Sequence, residues 1–534
     1  MTSPQREKSI VLHDPKPLLL SPDLSREEVS RLLAPYRLND WEKADANLQL
    51  MAGDPRCRQV LSTLLHDLLY AVSQTADPDQ ALNEWERFLE AGNARTQVFS
   101  FLCQTPHILR LVCVLFGNSP AMAETLIRDP MLLYWLEDAR VLKSRPNKKR
   151  LRMLLDENLS VVQTFERKLD VLRRFHRREM LRIGARDLFR VATVQETFQS
   201  LSWLAEIVID ATCHLIEERL QMKHGTPQHT DSQGKLQKTR FSVLGMGKLG
   251  GSELNYSSDV DLVYVYDSSH GETKAGKGQA GLSNEAYFQL LAQSLTQVLS
   301  EATAEGRLFR VDLRLRPEGT VGPLAWPIDV ALRYYQTRGR AWERLAFLKA
   351  RPIGGNVSVG RVFLRKIRPF VAGQNKDHEQ SLLDAVKSLR TKIHQKVRRK
   401  GEHDRNVKLS PGGIRDIEFI IQTLQLLHVA DEPQLFEPNT LKSLKVLNEL
   451  QYVSLEQAKR LKRNYLYLRD LEHKLQMVHE LQTHTLPVRE AEIQKCAIRM
   501  GYKPQTLTVN PSPLLAEYHK ITTEIQELVK KILF

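Results

Sequence analysis

The stretch FSVLGMGKLGGSELNYSSDVDLVYVYD runs from Phe241 to Asp267, and its reading decides how the rest of the chain is taken. It opens on a short apolar run, Phe241 to Leu244, and passes through Gly245, Gly247, Gly250 and Gly251. It closes on Asp259-Val260-Asp261 and a β-branched, aromatic run from Leu262 to Tyr266, which predicts a strand. Side chains alternate along a strand, so Asp259 and Asp261 share a face, about 7 Å apart at Cα. Two carboxylates side by side on a rigid strand suit hard divalent cations such as Mg²⁺. The upstream glycines let backbone N–H groups approach phosphate oxygens. Together these features predict a phosphate-transfer site. A lone Asp-x-Asp more commonly marks a turn or a solvated strand end. Gly245, Gly247 and Gly250 also mimic a dinucleotide fingerprint. That fingerprint opens straight into a helix, with an acidic residue about twenty positions on. Here a Ser/Asn-rich turn and Asp-x-Asp follow instead.

A second stretch, Leu308 to Pro317 (LFRVDLRLRP), alternates strictly from Phe309. Val311, Leu313 and Leu315 are expected to face a core, and Arg310, Asp312, Arg314 and Arg316 the other way. If this strand lies beside the first, Asp312 supplies a third carboxylate. Three carboxylates on adjacent strands can hold two metals about 3.5–4 Å apart. Arg314 and Arg316 would then neutralise phosphate charge. A simple salt-bridge ladder is the structural alternative.

The chain of 534 residues is 42% hydrophobic and 26% charged, which fits a soluble protein of about three domains. No apolar run approaches the roughly 20 residues of a membrane span. Ile10 to Leu12 is broken at once by His13, Asp14, Pro15 and Lys16, so no signal peptide is read. The cysteines, Cys57, Cys103, Cys113, Cys213 and Cys496, form no C-x-x-C pair and read as free thiols of a cytoplasmic protein. Net charge is +14, compatible with nucleic acid, nucleotide phosphates or an acidic protein. Basic clusters at 148–152, 173–178 and 392–400 lie in helical patterns and read first as solvated faces.

The fold class expected is α+β, mostly α. Residues 1–28 read as a flexible tail, 29–221 as an N-terminal helical domain, and 222–238 as a polar linker. Residues 239–372 form the mixed-sheet catalytic domain, and 373–534 a C-terminal helical bundle. Asp54-Pro55, Asp77-Pro78, Ser119-Pro120 and Asp129-Pro130 punctuate the N-terminal helices. Thr193 is a predicted N-cap, with Glu196 at capping-box spacing. Asn284 to Glu301, Asp329 to Leu348 and Gln380 to Lys400 each read as one helix. Ile414 to His428 reads as an amphipathic helix, Ile414, Ile417, Ile421 and Leu424 set against Arg415, Glu418, Gln422 and Gln425. His473, His479 and His484 have no metal-ligand spacing.

Four segments carry a family resemblance: GMGKLGGSELNYSSDVDL, RVDLRLRPEGTVGPL, WERLAFLKARPIGG and PGGIRDIEFIIQTLQLLH. They resemble the glutamine synthetase adenylyltransferase/adenylyl-removing enzymes of the DNA polymerase β-like nucleotidyltransferase superfamily. LRRFHRREMLRIGARDLF at 172–189 is also similar to that family. The superfamily pattern, Gly-Ser at a helix start, Asp-x-Asp, then a third Asp on a neighbouring strand, falls on Gly251-Ser252, Asp259, Asp261 and Asp312.

The resemblance implies a nucleotidyltransferase that moves AMP to or from a tyrosine of glutamine synthetase. The metal set is Asp259, Asp261 and Asp312, holding two Mg²⁺ ions. Gly247, Lys248, Gly250, Gly251, Ser252, Arg314 and Arg316 serve the phosphates. The nucleotide is ATP, or ADP with phosphate. Glutamine synthetase is the protein substrate and a PII-type signalling protein a further partner. No membrane or nucleic-acid partner is implied. Family enzymes carry two such units, whereas SSDVDL occurs once here. RPEGTVGPL and LKARPIGG are closer to the adenylyl-removing half, so phosphorolysis giving ADP is the expected direction. ATP-dependent adenylylation, a nucleic-acid-directed transferase and a non-catalytic binder of glutamine synthetase are the alternatives.

Overall fold

The computed structural model describes residues 14–92, 94–274, 276, 281–373, 378–478, 483–502 and 512–534. It is 66% helix and 8% strand, so a small sheet is set inside a helical protein. The central sheet holds β3 (Phe241–Gly245), β4 (Val260–Tyr266), β6 (Val311–Asp312), β7 (Ala325–Pro327) and β8 (Arg351–Gly355). Its order is β6-β4-β3-β8, and β7 also pairs with β4. β3 runs antiparallel to both β4 and β8. β6 and β7 lie parallel to β4 and end to end along one edge of it.

β4 sits between two helical layers, which explains its near-continuous apolar sequence. Val260, Leu262, Tyr264 and Tyr266 pack into a core shared with the helices Val194–His224 and Asn284–Ser300. Val263 and Val265 pack the other way, into a core with Phe363, Ile367 and Phe419. Asp259 and Asp261 share the parity of Val263, so their face of the strand looks towards the C-terminal helices.

The helix starts follow the punctuation in the sequence. Pro55, Pro78 and Pro120 each open a helix, where a missing N–H costs nothing. Thr193 makes the expected capping box with Glu196. Three segments depart from expectation. Residues 14–28 are not a loose tail: Pro17–Leu20 is helical and Leu18 and Leu19 are buried. The stretch 222–238 is not an unstructured linker. The preceding helix runs on to His224, and β1 (Thr226–Thr230) pairs with β2 (Leu236–Lys238) and β5 (Glu272–Lys274). The expected helix from Asp329 to Leu348 breaks into Ile328–Arg338 and Ala341–Leu348. Gly339 leaves the helix between them, where a Cβ would stand 2.3 Å from the Phe370 ring.

The helix Leu455–Gln476 carries a fully buried polar turn. Arg469, Glu472, His473 and Lys474 are each at most 2% exposed. Lys474 donates to Asp187 at 2.7 Å, and Arg469 donates to the Glu253 carbonyl and to Asn255 Oδ1. The Arg469 guanidinium also lies 4.2 Å over the Phe198 ring. One helix turn thus ties the C-terminal bundle to the N-terminal helices and to the glycine-rich stretch. His473 Nε2 donates within this cluster to Asn255 Oδ1 at 2.9 Å, while His484 pairs with Glu472. His479 lies outside the described residues. Among the described residues no single helix is long and apolar enough to cross a membrane.

Candidate active site

β4 and β6 meet in parallel register, with Asp261 opposite Asp312. Asp259, two residues upstream of Asp261, lines the same cavity of about 650 Å³. The acid met first on one strand and the acid met fifty residues later are therefore neighbours, the arrangement expected if the two segments paired. The expected long strand through Pro317 is cut to Val311–Asp312. The chain turns away after Asp312, because β7 takes over the rest of the β4 edge.

Burial pushes the Asp261 carboxyl up to about 7, with Asp312 adding to the rise and Lys408 offsetting part of it. Burial also raises Asp312, but hydrogen bonds from Arg314 outweigh it and hold that carboxyl low. Arg314 Nε stands 2.8 Å from Asp312, and Arg310 Nε 2.8 Å from Asp259. Two of the three acids are thus neutralised by arginines and the third is not. Among the described residues no three His, Cys, Asp or Glu side chains already stand in metal-holding geometry. The donor set nevertheless fits a hard cation. It is all carboxylate, and among the described residues Asp261 has no arginine bonded to it. The Arg314 side chain is 72% exposed and free to swing off Asp312. Gly247 adds to the fit: its φ is +54°, and a Cβ there would stand 2.7 Å from Asp261 Oδ2. Met246 N–H, just before it, donates to the Asp261 carbonyl at 2.8 Å and fixes the turn against β4.

The structure divides the expected phosphate-binding residues. Gly247, Lys248 and Arg314 line the carboxylate cavity. Gly250, Gly251 and Ser252 instead line a separate cavity of about 740 Å³, beside Trp203 and Asn439. The reason is helical geometry. Gly247–Gly250 forms one turn of helix, which carries the following residues round to its far side. Gly250 is there for backbone packing, since a Cβ would meet the Lys349 carbonyl at 1.8 Å. Arg316 is also placed elsewhere. Its guanidinium donates to the carbonyls of Leu313, Gly322 and Pro323 and braces the turn after β6.

Several cavity residues were not expected at the site from the sequence: Ser258, Trp342, Lys349, Lys408, Arg415 and Glu418. Lys349 ends the Ala341–Leu348 helix, as its C-cap, and is 6% exposed. Its ammonium donates to Glu253 at 2.8 Å, Thr440 at 2.7 Å and Glu418 at 3.4 Å. Glu418, Gln422 and Gln425 were expected on a solvated face of Ile414–His428, but each is at most 5% exposed. The period was right and the burial was not: both faces of that helix are covered. Lys248 reaches the cavity too, its ammonium 2.9 Å from both Glu472 oxygens. Burial draws the Lys248 ammonium down, against the pull of Glu472.

Burial alone would raise Glu418, but Lys349, Arg415 and Lys408 outweigh it and bring its carboxyl to about 2. A carboxyl lowered in the fold contributes stability above its unfolded value that is lost as pH falls towards 2. Glu418→Gln should therefore be less stable than wild type at pH 6. The gap should narrow in thermal melts taken stepwise below pH 5 and close only as the pH approaches 2. A gap independent of pH would show that Glu418 carries no such charge.

A family model for glutamate-ammonia ligase adenylyltransferase matches residues 109–366, and one for GlnD PII-uridylyltransferase matches 387–533. A bifunctional glutamine synthetase adenylyltransferase/adenylyl-removing enzyme of Nitrosococcus oceani is 38% identical over 421 residues, covering 79% of this chain and 42% of that protein. The protein of the same name from Pseudomonas aeruginosa is 39% identical over 384 residues, 72% of this chain and 38% of its own length. That from Hahella chejuensis is 36% identical over 423 residues, 78% and 42%. The chain spans less than half the length of these relatives. The sheet, the carboxylate register and these matches agree, and the chain belongs to the glutamine synthetase adenylyltransferase/adenylyl-removing enzyme family.

Proposed function

We propose that this chain catalyses metal-dependent transfer of AMP from a tyrosine of glutamine synthetase to inorganic phosphate, giving ADP. The observation that carries this reading is the in-register pairing of Asp261 with Asp312, beside Asp259, in a cavity rimmed by Lys248, Lys349, Lys408 and Arg415. In the reaction a phosphate oxygen bonds to the AMP phosphorus and the bond to the tyrosyl oxygen breaks. The tyrosyl oxygen takes the proton that the phosphate gives up, and ADP leaves. Asp259, Asp261 and Asp312 would hold Mg²⁺, which supplies Lewis-acid stabilisation of the charge gathering on the phosphorus oxygens. Lys408 and Arg415 face the same cavity and counter that charge. Trp342 and Phe419 offer aromatic faces for the adenine ring.

The direction rests on RPEGTVGPL and LKARPIGG, which are closer to the adenylyl-removing half of the family. The same carboxylates serve ATP-dependent attachment, so the assay must separate the two. Purified chain is incubated with Mg²⁺ and either AMP-modified glutamine synthetase plus phosphate, or the unmodified protein plus ATP. ADP release from the first mixture is the expected result. Pyrophosphate release from the second alone would reverse the direction, and silence in both would sink the reading. The match of 387–533 to a PII-uridylyltransferase supports a PII-type signalling protein as regulator. Adding one to the first mixture should change the rate.

A further inference from the structure

A second cavity, of about 520 Å³, opens between the N-terminal helices and the turn before β6. Ser258 lines both this cavity and that of the carboxylates. Its walls carry Arg128, Arg173, Arg177, Arg307 and Arg310, against two acids, Glu124 and Glu305. Both acids are already engaged. Arg177 holds Glu305 at 3.2 Å, and Arg128 holds Glu124 at 2.8 Å. Arg310 spans the partition, with its Nε on Asp259 and its Nη2 on Ser257.

The remaining cations are under-partnered. Arg173 is 5% exposed, yet its nearest acids are Asp170 at 3.5 Å and Glu301 at 3.8 Å. Its Nε is buried without a hydrogen-bond partner. Among the described residues Arg307 makes no ion pair. Asn255, also on the wall and 2% exposed, has a buried Nδ2 without a partner. That amide cannot simply be turned round, because its Oδ1 accepts from Arg469, a group that can only donate. Buried donors seldom go unpaired. Two of them, Arg173 Nε and Asn255 Nδ2, beside the unpaired guanidinium of Arg307, mark a place for an acceptor-rich anion. The cluster at 173–178 is therefore not simply a solvated face.

We infer that this cavity binds a phosphate oxyanion and is where inorganic phosphate is collected beside the carboxylates. The inference rests on the AMP-removal reading for the use made of that phosphate, but not for its binding. Arginine suits the task because its planar fork matches two phosphate oxygens at once.

The test is phosphate binding to the full chain without glutamine synthetase, read by calorimetry and by the phosphate-dependent rise in unfolding temperature. Wild type should bind phosphate saturably. Arg307→Gln, at an exposed position, should weaken binding about tenfold, the worth of one charge-assisted hydrogen bond. Arg173→Lys keeps the buried charge while losing the fork, and should weaken it as well. Unchanged affinity in both variants, or no saturable binding by wild type, overturns the inference. ADP is the second probe. If ADP binding needs these arginines while phosphate binding does not, the oxyanion belongs to the nucleotide and the assignment to free phosphate falls. A chain that binds phosphate through them yet releases no ADP from AMP-modified glutamine synthetase would sink the proposed activity and leave the cavity's ligand standing.

Discussion

Asp261→Asn should lower the proposed AMP transfer by about a thousandfold or more while leaving the fold intact. Removing one preorganised charge contact from a transferring group typically costs 10²–10³-fold in rate. Asp261 also sits between two other acids, and in the proposed reading it would hold metal with them. Asparagine keeps the shape and removes the charge. The fold does not lean on that charge, since burial beside Asp312 already pushes the carboxyl up to about 7. The variant should therefore melt no lower than wild type in metal-free buffer at pH 8. Turnover is followed with labelled AMP on glutamine synthetase, and folding by circular dichroism. Near-normal turnover in a folded variant would reject the carboxylate site outright.

Lys349→Met should cost about 3–5 kcal/mol of stability, the usual penalty for breaking a buried charge pair from one side. Lys349 is the only cation drawn to Glu253 by a salt bridge among the described residues, and Glu253 is 1% exposed. The same ammonium holds Glu418 and Thr440. Its loss strands the Glu253 carboxylate between the glycine-rich stretch and the start of Thr440–Glu449. Against a typical total of about 5–15 kcal/mol, that is a large fraction. Urea unfolding should show a lower midpoint with an unchanged slope. Adding Glu253→Gln to the methionine variant should recover part of the loss, because the stranded charge goes with it. A methionine variant as stable as wild type would mean that Lys349 is not buried as a charge.

Asp259 and Asp261 were legible as a same-face pair because period two is rigid, whereas the pairing that sets Asp312 beside them depended on a strand neighbour that parity does not announce. Helix starts were legible at Pro55, Pro120 and Thr193 for a similarly local reason. What stayed hidden depended on partners far along the chain. Glu418 and Gln422 look like a wet face until Lys349 and the Leu345 carbonyl are brought against them. Arg316 has the same alternation parity as Arg314, but a turn that no period announces hands it to carbonyls. Ser252 follows the glycines in sequence yet is swung away by one helical turn.

The buried polar turn of Leu455–Gln476 makes the molecule hard to cut in two. A proteolytic nick or a premature stop near Gly373 would remove the partners of Lys248, Asp187 and Asn255 together. Sheet and carboxylates would survive in the shortened chain as sequence only, with raw ionic stumps where an interior had been. Recombination that swaps the C-terminal bundle between relatives must therefore exchange Arg469, Glu472 and Lys474 as a set with the residues they meet.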